Sequence, residues 1–227
     1  MKSIYLHIGT EKTGTSAIQN FAIQNVRQLL RHNILVLQSL KGNNTELTCY
    51  ALKDNNFKDD QRKHRNIRNI DQLKLFRKEL KQKYIKQINK NKNFNHIFLS
   101  NEHLSSRLTS ASELLMLKKL LNDFSKKIKI IIYLRRQDQF LISEYSTAIK
   151  NGHTKDFQIP DGIPLKLNYS RIISLWEGVF GRENLIIKTY EKESFVNNDL
   201  IDDIFDTMGI KIDNSFFPPK KINSSIS

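Results

Sequence analysis

Short apolar runs alternate along the chain with segments of helical periodicity. The runs at residues 4–8, 34–37, 96–99, 128–134 and 185–187 are predicted to form strands. Apolar residues three or four apart predict helices at residues 17–30, 71–90, 110–124, 137–150, 169–180 and 199–208. The run at residues 128–134 is nearly all apolar, which is typical of a central parallel strand. This alternation predicts an α/β fold, a three-layer sandwich around a mostly parallel central sheet.

The length of 227 residues suits a single domain over residues 1–227. Residues 41–70 are polar and carry a basic cluster from Arg62 to Arg68, so we expect a loop or a loosely ordered insertion there. The segment from Asp213, which contains Pro218 and Pro219, is expected to be an irregular tail.

Composition narrows the class of protein. The net charge of +14 favours an anionic partner or surface, although a general lysine bias accounts for the excess equally well. The one cysteine, Cys49, excludes an internal disulfide and a cysteine-based metal cluster, and it fits a reducing compartment. The N-terminal apolar run is too short for a signal peptide, and no run approaches the roughly 18 apolar residues of a membrane span. We therefore expect a soluble cytoplasmic protein with no integral membrane segment.

A glycine-bearing turn is expected between the first strand and the first helix. It contains two glycines, a lysine and three hydroxyl side chains: Gly9, Lys12, Thr13, Gly14, Thr15 and Ser16. Such a turn directs backbone N–H groups to one spot at the positive end of a helix dipole, which suits a phosphate or sulfate group. The pattern departs from the nucleotide P-loop, which has lysine directly after the second glycine, where this chain has Thr15. The departure indicates a related anion that is held differently.

A second candidate anion site follows the most apolar strand. Arg135 comes at the end of that strand, and ligands bind at the carboxyl ends of strands in parallel sheets. Ser143 lies eight residues later, about two helical turns on, and its side chain can point toward the N-terminus of its helix. Because the arginine fork grips phosphate with two bonds, Arg135 and Ser143 are expected to share one anion.

A third candidate site follows the strand at residues 96–99. It places the carboxylate of Glu102 and the imidazole of His103 at the same edge of the sheet. Either group could deprotonate an acceptor hydroxyl. The alternatives are an acidic residue at a helix start for Glu102 and a surface histidine for His103.

Two of these sites together resemble the sulfotransferase family. The K-T-G-T-S segment at residues 12–16 resembles the 5′-phosphosulfate loop of that family, often written K-S-G-T-T. Arg135 and Ser143, eight residues apart, resemble its 3′-phosphate motif. The two motifs occur in the family's order and spacing.

The likeness is strongest to bacterial sulfotransferase-like proteins and spans most of the chain outside residues 41–95. It includes an H-I-G-x-x-K-T-G-T-[ST] start, the Y-L-R-R-Q-D segment at residues 133–138, Phe180-Gly181 and the segment at residues 223–227. Two features depart from the family. Glu11 is an acid beside a sulfate site, which weakens anion binding unless its side chain points away. The chain also ends where relatives usually continue, so we expect either a partial C-terminal nucleotide-binding segment or a truncated sequence.

The resemblance implies a P-loop NTPase-like sulfotransferase fold and the co-substrate 3′-phosphoadenosine 5′-phosphosulfate (PAPS). The turn residues, Gly9 included, would hold the 5′ end of PAPS, and Arg135 and Ser143 would hold its 3′-phosphate. Lys12 would stabilise charge during transfer, with Glu102 as the first choice of base and His103 as the second. The acceptor is expected to be a hydroxyl, with a carbohydrate or glycoconjugate favoured. No metal is expected, since the strands at residues 97–99 and 128–134 end without the aspartate that holds magnesium in P-loop enzymes.

Three other classes of protein stay open at this point. A P-loop kinase or NTPase would bind ATP with magnesium, and an inactive nucleotide-binding module of the same fold would bind the nucleotide without transfer. A nucleic-acid-binding protein would use the basic charge, but the sequence has no helix-turn-helix, zinc or RNA-binding motif, so no nucleic-acid partner is expected. The basic segment at residues 62–68 could also face an anionic glycan, although a solvated run of charge is the more common role of such a segment.

Overall fold

The computed structural model describes residues 2–38 and 43–218. Within that part of the chain, five strands form one sheet: β1 (Ser3–His7), β2 (Ile34–Val36), β3 (His96–Ser100), β4 (Lys127–Leu134) and β5 (Leu185–Thr189). The strand order is β2-β3-β1-β4-β5, and every neighbouring pair is parallel. The predicted α/β class and the five strands are confirmed. All strands therefore end at the same edge, where the three candidate sites of the sequence lie.

Helices flank the sheet on both sides. They are α1 (Thr15–Gln24), α2 (Val26–Arg31), α3 (Glu46–Ala51), α4 (Asp60–His64), α5 (Ile70–Lys90), α6 (His103–Arg107), α7 (Ala111–Asn122), α8 (Gln137–Lys150), α9 (Tyr169–Phe180) and α10 (Leu200–Asp206). The helices predicted at residues 137–150 and 169–180 have the predicted bounds. A capping box of Ser110 and Glu113 opens α7, which lies within the helix predicted at residues 110–124. In the described part of the chain, no helix combines the length and apolar character that spanning a membrane requires.

The hydrophobic core consists of two layers, one on each face of the sheet. On one face, Leu6 and Leu99 pack in a cluster with the buried Trp176 of α9. On the other face, Phe98 packs against Phe205 of α10, with ring centroids 5.5 Å apart, and Phe205 in turn packs against Phe21 of α1. Successive residues of a strand point to opposite faces, so β3 supplies both layers. The three-layer sandwich is confirmed.

The helix predicted at residues 17–30 is divided into α1 and α2 at Asn25. Asn25 is fully buried, and its Nδ2 donates to the carbonyl oxygens of Phe21 (3.1 Å) and Phe217 (2.9 Å). The backbone N–H of Phe217 donates back to Asn25 Oδ1 at 2.7 Å. Asparagine side chains compete with the helical backbone for hydrogen bonds, which explains the break. The end of the described chain is anchored at this break, and residues 219–227, the segment at 223–227 included, lie outside the described residues.

The prediction of a loop at residues 41–70 is wrong for the described residues 43–70, because these contain α3 and α4. Leu47 and Cys49 are fully buried there. Arg62 is also fully buried, and its guanidinium donates to four backbone carbonyl oxygens, those of Cys49, Leu52, Lys53 and Asn56. The basic cluster therefore contains a structural arginine, and Arg62 does not face an anionic glycan.

Candidate functional site

The turn after β1 runs along β4 before it enters α1. The N–H groups of Ile8 and Thr10 donate to the carbonyl oxygens of Ile131 and Tyr133, both at 2.9 Å, and Tyr133 N–H donates back to the carbonyl of Gly9 at 2.8 Å. These bonds hold the turn at the carboxyl edge of the two central strands. The site is therefore built on the most buried part of the sheet.

Both glycines of the turn meet a steric requirement. Gly9 has φ +96°, and a Cβ there would lie 3.1 Å from the backbone Cα of Glu102. Gly14 has φ +71°, and a Cβ there would overlap the side chain of Leu200. The left-handed backbone at both positions also disfavours other residues. Gly14 ends the turn, and its carbonyl accepts the first helical bonds, from Ala17 and Ile18. The N–H groups of the residues between Gly14 and Ala17 consequently precede the helical hydrogen-bond ladder.

The hydroxyl groups of the turn have different surroundings. Thr13 is buried, and its Oγ1 donates to the carbonyl of Thr10 at 2.6 Å. Thr15 is buried too, and its Oγ1 lies 3.4 Å from the same carbonyl. Ser16 is exposed. The two threonine side chains stabilise the shape of the turn, while the exposed Ser16 hydroxyl is open to a ligand.

Lys12 occupies the apex of the turn. Its backbone is left-handed, with φ 62°, a conformation that costs a residue other than glycine about 1 kcal/mol or more. Its Nζ donates to Thr147 Oγ1 of α8 at 2.8 Å. The ammonium group therefore bridges the turn and α8. Strained backbone of this kind occurs preferentially at functional sites.

Arg135 follows β4 and contacts the turn directly. Its Nη1 donates to the carbonyl oxygen of Lys12 at 3.0 Å, and its guanidinium carbon lies 5.5 Å from the ring centroid of Tyr190. Tyr169 fixes the backbone of Arg135 by donating its hydroxyl to the Arg135 carbonyl at 2.7 Å. The Nε of Arg135 is buried and has no hydrogen-bond partner among the described residues. A buried charged donor without a partner is costly, so this atom is suited to a ligand acceptor.

Tyr169 and Tyr190 are not among the site residues predicted from the sequence. Tyr190 directly follows β5, so its place at the carboxyl edge of a strand was a usable signal. Tyr169 begins α9 and reaches the site only through tertiary packing. For Tyr169 the sequence gives no signal.

Ser143 lies on the same helix as Thr147, one turn before it. The carbonyl of Ser143 accepts a bond from Thr147 Oγ1 at 3.0 Å, and the same hydroxyl accepts the bond from Lys12. Within residues 2–38 and 43–218, Ser143 and Arg135 make no hydrogen bond with each other. The structure thus brings Lys12 and Arg135 into contact, and it places Ser143 one helical turn before Thr147, the partner of the Lys12 ammonium.

Glu102 lies behind the turn, against Gly9. Burial raises the pKa of Glu102, and the nearby Glu11 adds to this shift, while His103, the Thr15 hydroxyl and Lys12 oppose it. A raised pKa brings a carboxylate closer to the proton affinity that a general base needs. Glu102 therefore shares its surroundings with the turn.

His103 is instead paired with Glu11. The His103 Nδ1 lies 3.3 Å from Glu11 Oε1, which also accepts a bond from Ser106 Oγ at 3.0 Å. The hydrogen bond with His103 lowers the pKa of Glu11 despite burial, and Ser106, the charge of His103 and Lys166 add to the effect. Glu11 is therefore a carboxylate directed at α6. Its charge is paired with His103 and Ser106, and it still lies near enough to Glu102 to raise the pKa of that residue.

Comparisons with known proteins agree with the fold. No protein-family model matches the chain. The chain is 30% identical over 119 residues to an uncharacterized protein of Archaeoglobus fulgidus, a match that covers 51% of this chain and 31% of the archaeal protein. The chain thus spans about a third of the length of that relative. The crystal structure of a sulfotransferase from Alicyclobacillus acidocaldarius matches with a TM-score of 0.56 at 15% identity, over 97% of this chain and 85% of that chain. The protein therefore has a sulfotransferase-like fold, with a parallel five-stranded sheet flanked by helices.

Proposed function

We propose that the protein is a sulfotransferase that moves a sulfuryl group from PAPS to an acceptor hydroxyl. The observation that carries the proposal is the hydrogen bond from Arg135 Nη1 to the carbonyl of Lys12. It joins the segment that resembles a 5′-phosphosulfate loop to the residue that resembles a 3′-phosphate ligand. The sulfotransferase-like fold supports the proposal.

The proposed donor site extends across the edge of the sheet. The N–H groups at the start of α1, the Lys12 ammonium and the Ser16 hydroxyl would hold the 5′ phosphosulfate, because a helix start attracts anions. Gly9 and Gly14 would supply the left-handed backbone that the turn needs where it packs against Glu102 and Leu200. Thr13 and Thr15 would contribute backbone N–H groups, since the Thr13 hydroxyl donates to the Thr10 carbonyl and the Thr15 hydroxyl lies near the Thr10 carbonyl and Glu102.

The other end of the donor would lie at Arg135. Its buried Nε, which has no partner among residues 2–38 and 43–218, and its planar fork suit the 3′-phosphate. Ser143 would reach the same phosphate from α8. The ring of Tyr190, already stacked near the guanidinium, would keep Arg135 in place.

The proposed chemistry is an in-line displacement at sulfur. The acceptor oxygen forms a bond to sulfur, the bond from sulfur to the bridging phosphate oxygen breaks, and the products are a sulfate ester and 3′-phosphoadenosine 5′-phosphate. Lys12 and the backbone N–H groups of the turn stabilise the charge that grows on the bridging oxygen. Glu102 takes the proton of the acceptor hydroxyl.

Glu102 is the preferred base for two reasons. Its pKa is raised by burial, and it shares surroundings with Thr15 and Lys12 at the proposed sulfuryl site. His103, whose Nδ1 is paired with Glu11 so that Nε2 would be the basic atom, is the second choice. The acceptor is proposed to be a carbohydrate or glycoconjugate hydroxyl.

Calorimetry with two ligands tests the proposal. We expect 3′-phosphoadenosine 5′-phosphate to bind tightly without a metal, and ATP with magnesium to bind weakly or not at all. The opposite order would favour a P-loop kinase or NTPase. Tight binding of the first ligand without transfer to any alcohol would indicate an inactive nucleotide-binding module of the same fold.

A further inference from the structure

An apolar cavity of about 330 Å³ lies between α8 and the segment before α9. Its apolar lining consists of Leu141, Ile159, Pro160, Ile163, Pro164 and Leu167. A volume above 300 Å³ is in the range of small-molecule sites. The cavity is therefore large enough for part of a ligand.

Two elements, α8 and the segment before α9, connect the cavity to the proposed donor site. Gln137 lines it and lies two residues after Arg135. Leu167 lines it as well and lies two residues before Tyr169, whose hydroxyl holds the backbone of Arg135. The helix that supplies Leu141 also supplies Thr147, the partner of Lys12. Residues that line the cavity therefore lie within two positions of Arg135 and of Tyr169, at the edge of the proposed donor site.

The lining offers little to a sugar. Gln137 is the polar side chain among the described lining residues, and its Nε2 already donates to the carbonyl of Leu167 at 3.0 Å. The nearby Lys166 is paired with Glu144 of α8. Sugar hydroxyls placed here would lose their hydrogen bonds to water without replacement, which is unfavourable. An alkyl chain or an apolar ring of a ligand would instead bind favourably here, because its surface would be removed from water.

Apolar side chains at the rim are strongly exposed. Ile159 is 76% exposed and Ile163 is 66% exposed. Leu165, next to the cavity, is 59% exposed, and Phe157 is 42% exposed. A cluster of exposed large apolar residues on one segment marks a binding surface.

We propose that the cavity holds the apolar portion of the acceptor, so that the acceptor is an amphipathic alcohol such as a glycolipid. This inference rests on the proposed sulfotransferase function and narrows its acceptor. The hydroxyl-bearing end would face Glu102 and the donor, while the alkyl portion would lie against Ile159 and Ile163.

Alkyl glucosides of increasing chain length test the inference. We expect octyl β-glucoside, below the concentration at which it forms micelles, to bind at least tenfold more tightly than methyl β-glucoside, since burying CH₂ groups adds roughly tenfold or more over several carbons. Ile163→Ser and Ile159→Ser should each weaken octyl glucoside binding by about tenfold. Leu115→Ser is the matched control, because Leu115 is 55% exposed on α7, outside the cavity, and should leave binding unchanged.

The same samples separate the two proposals. If 3′-phosphoadenosine 5′-phosphate binds but octyl and methyl glucoside bind equally, or Ile163→Ser has no effect, the inference is overturned and the proposed function stands. If the nucleotide does not bind, the proposed function fails, and the acceptor inference fails with it. Attachment to phosphatidylcholine vesicles without binding of monomeric octyl glucoside, or a dimer that Ile163→Ser dissociates, would assign the surface to a membrane or to a second copy and overturn the inference.

Discussion

The guanidinium Nη1 of Arg135 donates a hydrogen bond of 3.0 Å to the backbone carbonyl oxygen of Lys12, across 123 positions of sequence. The bond joins the end of β4 to the apex of the turn after β1. The bond uses the Nη1 of the guanidinium, and the buried Nε has no partner in the described part of the chain. Arg135 therefore has two roles in our proposal, one in shaping the turn and one in binding the donor.

Arg135→Ala should weaken the binding of 3′-phosphoadenosine 5′-phosphate roughly 30-fold, because a hydrogen bond to a charged group contributes about 2 kcal/mol. Calorimetry measures the change directly. Arg136→Ala is the matched control, since Arg136 is an exposed neighbour paired with Asp138. Equal dissociation constants for the two variants would count against the assignment of Arg135.

Lys12→Ala should reduce transfer from PAPS to an alkyl glucoside about a hundredfold, because losing one contact to the developing charge costs about 3 kcal/mol. Folding should be intact, since the Lys12 side chain makes its bond to Thr147 at an exposed position. Lys78→Ala, at an exposed lysine of α5, serves as the control. Wild-type turnover of the Lys12 variant would refute the catalytic role of the ammonium group.

The sequence predicted the sheet and the long helices because they depend on local periodicity. The helix at residues 137–150 shows this, since its apolar residues recur at helical spacing and that pattern ends at Asn151-Gly152. Asn25 shows the limit. Its neighbours fit one helix face, but its side chain bonds to Phe217, which is distant in sequence. The break depends on a tertiary contact that periodicity does not contain.

The candidate site was predictable to the same extent. Lys12, Arg135 and Glu102 each follow a strand, so the rule that strand ends meet at one edge predicted that they lie at the same edge of the sheet, and their roles stay predictions. The buried place of Arg62 was not predictable, because an arginine in a run of charge usually lies in solvent. Its burial requires four backbone carbonyls to converge, and only the folded chain supplies them.

Glu102 should set the acid limb of the pH profile of transfer. Burial raises its pKa above the ordinary value of 4.5, and a base must be deprotonated to act. We therefore expect kcat/KM to fall on acidification at a pH above 4.5 and Glu102→Gln to leave a low rate without this limb. His103→Gln should retain it. The reverse pattern, with the limb lost in the His103 variant alone, would make His103 the base.

Arg62→Met should destabilise the protein by about 3 kcal/mol or more, because buried carbonyl groups of α3 and the following turn would lose their donors. Urea unfolding measures this as a lower midpoint. Arg68→Met, at an exposed arginine of the same basic cluster, should change the midpoint little. A small change of the urea midpoint in both variants would mean that water takes over the hydrogen bonds of the Arg62 guanidinium.

Asp203 of α10 anchors that helix to the sheet. Its side chain is 3% exposed, and it accepts bonds from Tyr133 (2.5 Å) and Lys188 (2.8 Å). Burial alone would raise the pKa of Asp203, but the bonds from Lys188, Tyr133 and the Val196 N–H outweigh it, so the pKa is lowered. The ionised Asp203 therefore stabilises the folded protein above pH 3.8, the ordinary pKa of an aspartate in the unfolded chain. This stabilisation is lost as the pH falls through the lower pKa that Asp203 has in the folded protein.

Asp203→Asn should therefore lower the free energy of unfolding by about 2 kcal/mol at pH 7, and the difference from the wild type should shrink as the pH falls below about 4. Urea unfolding at both pH values measures it. Asp206→Asn, at an exposed aspartate of the same helix, is the control and should show little change at either pH. A loss that is equally large in acid would mean that the packing of the side chain matters and that its charge does not.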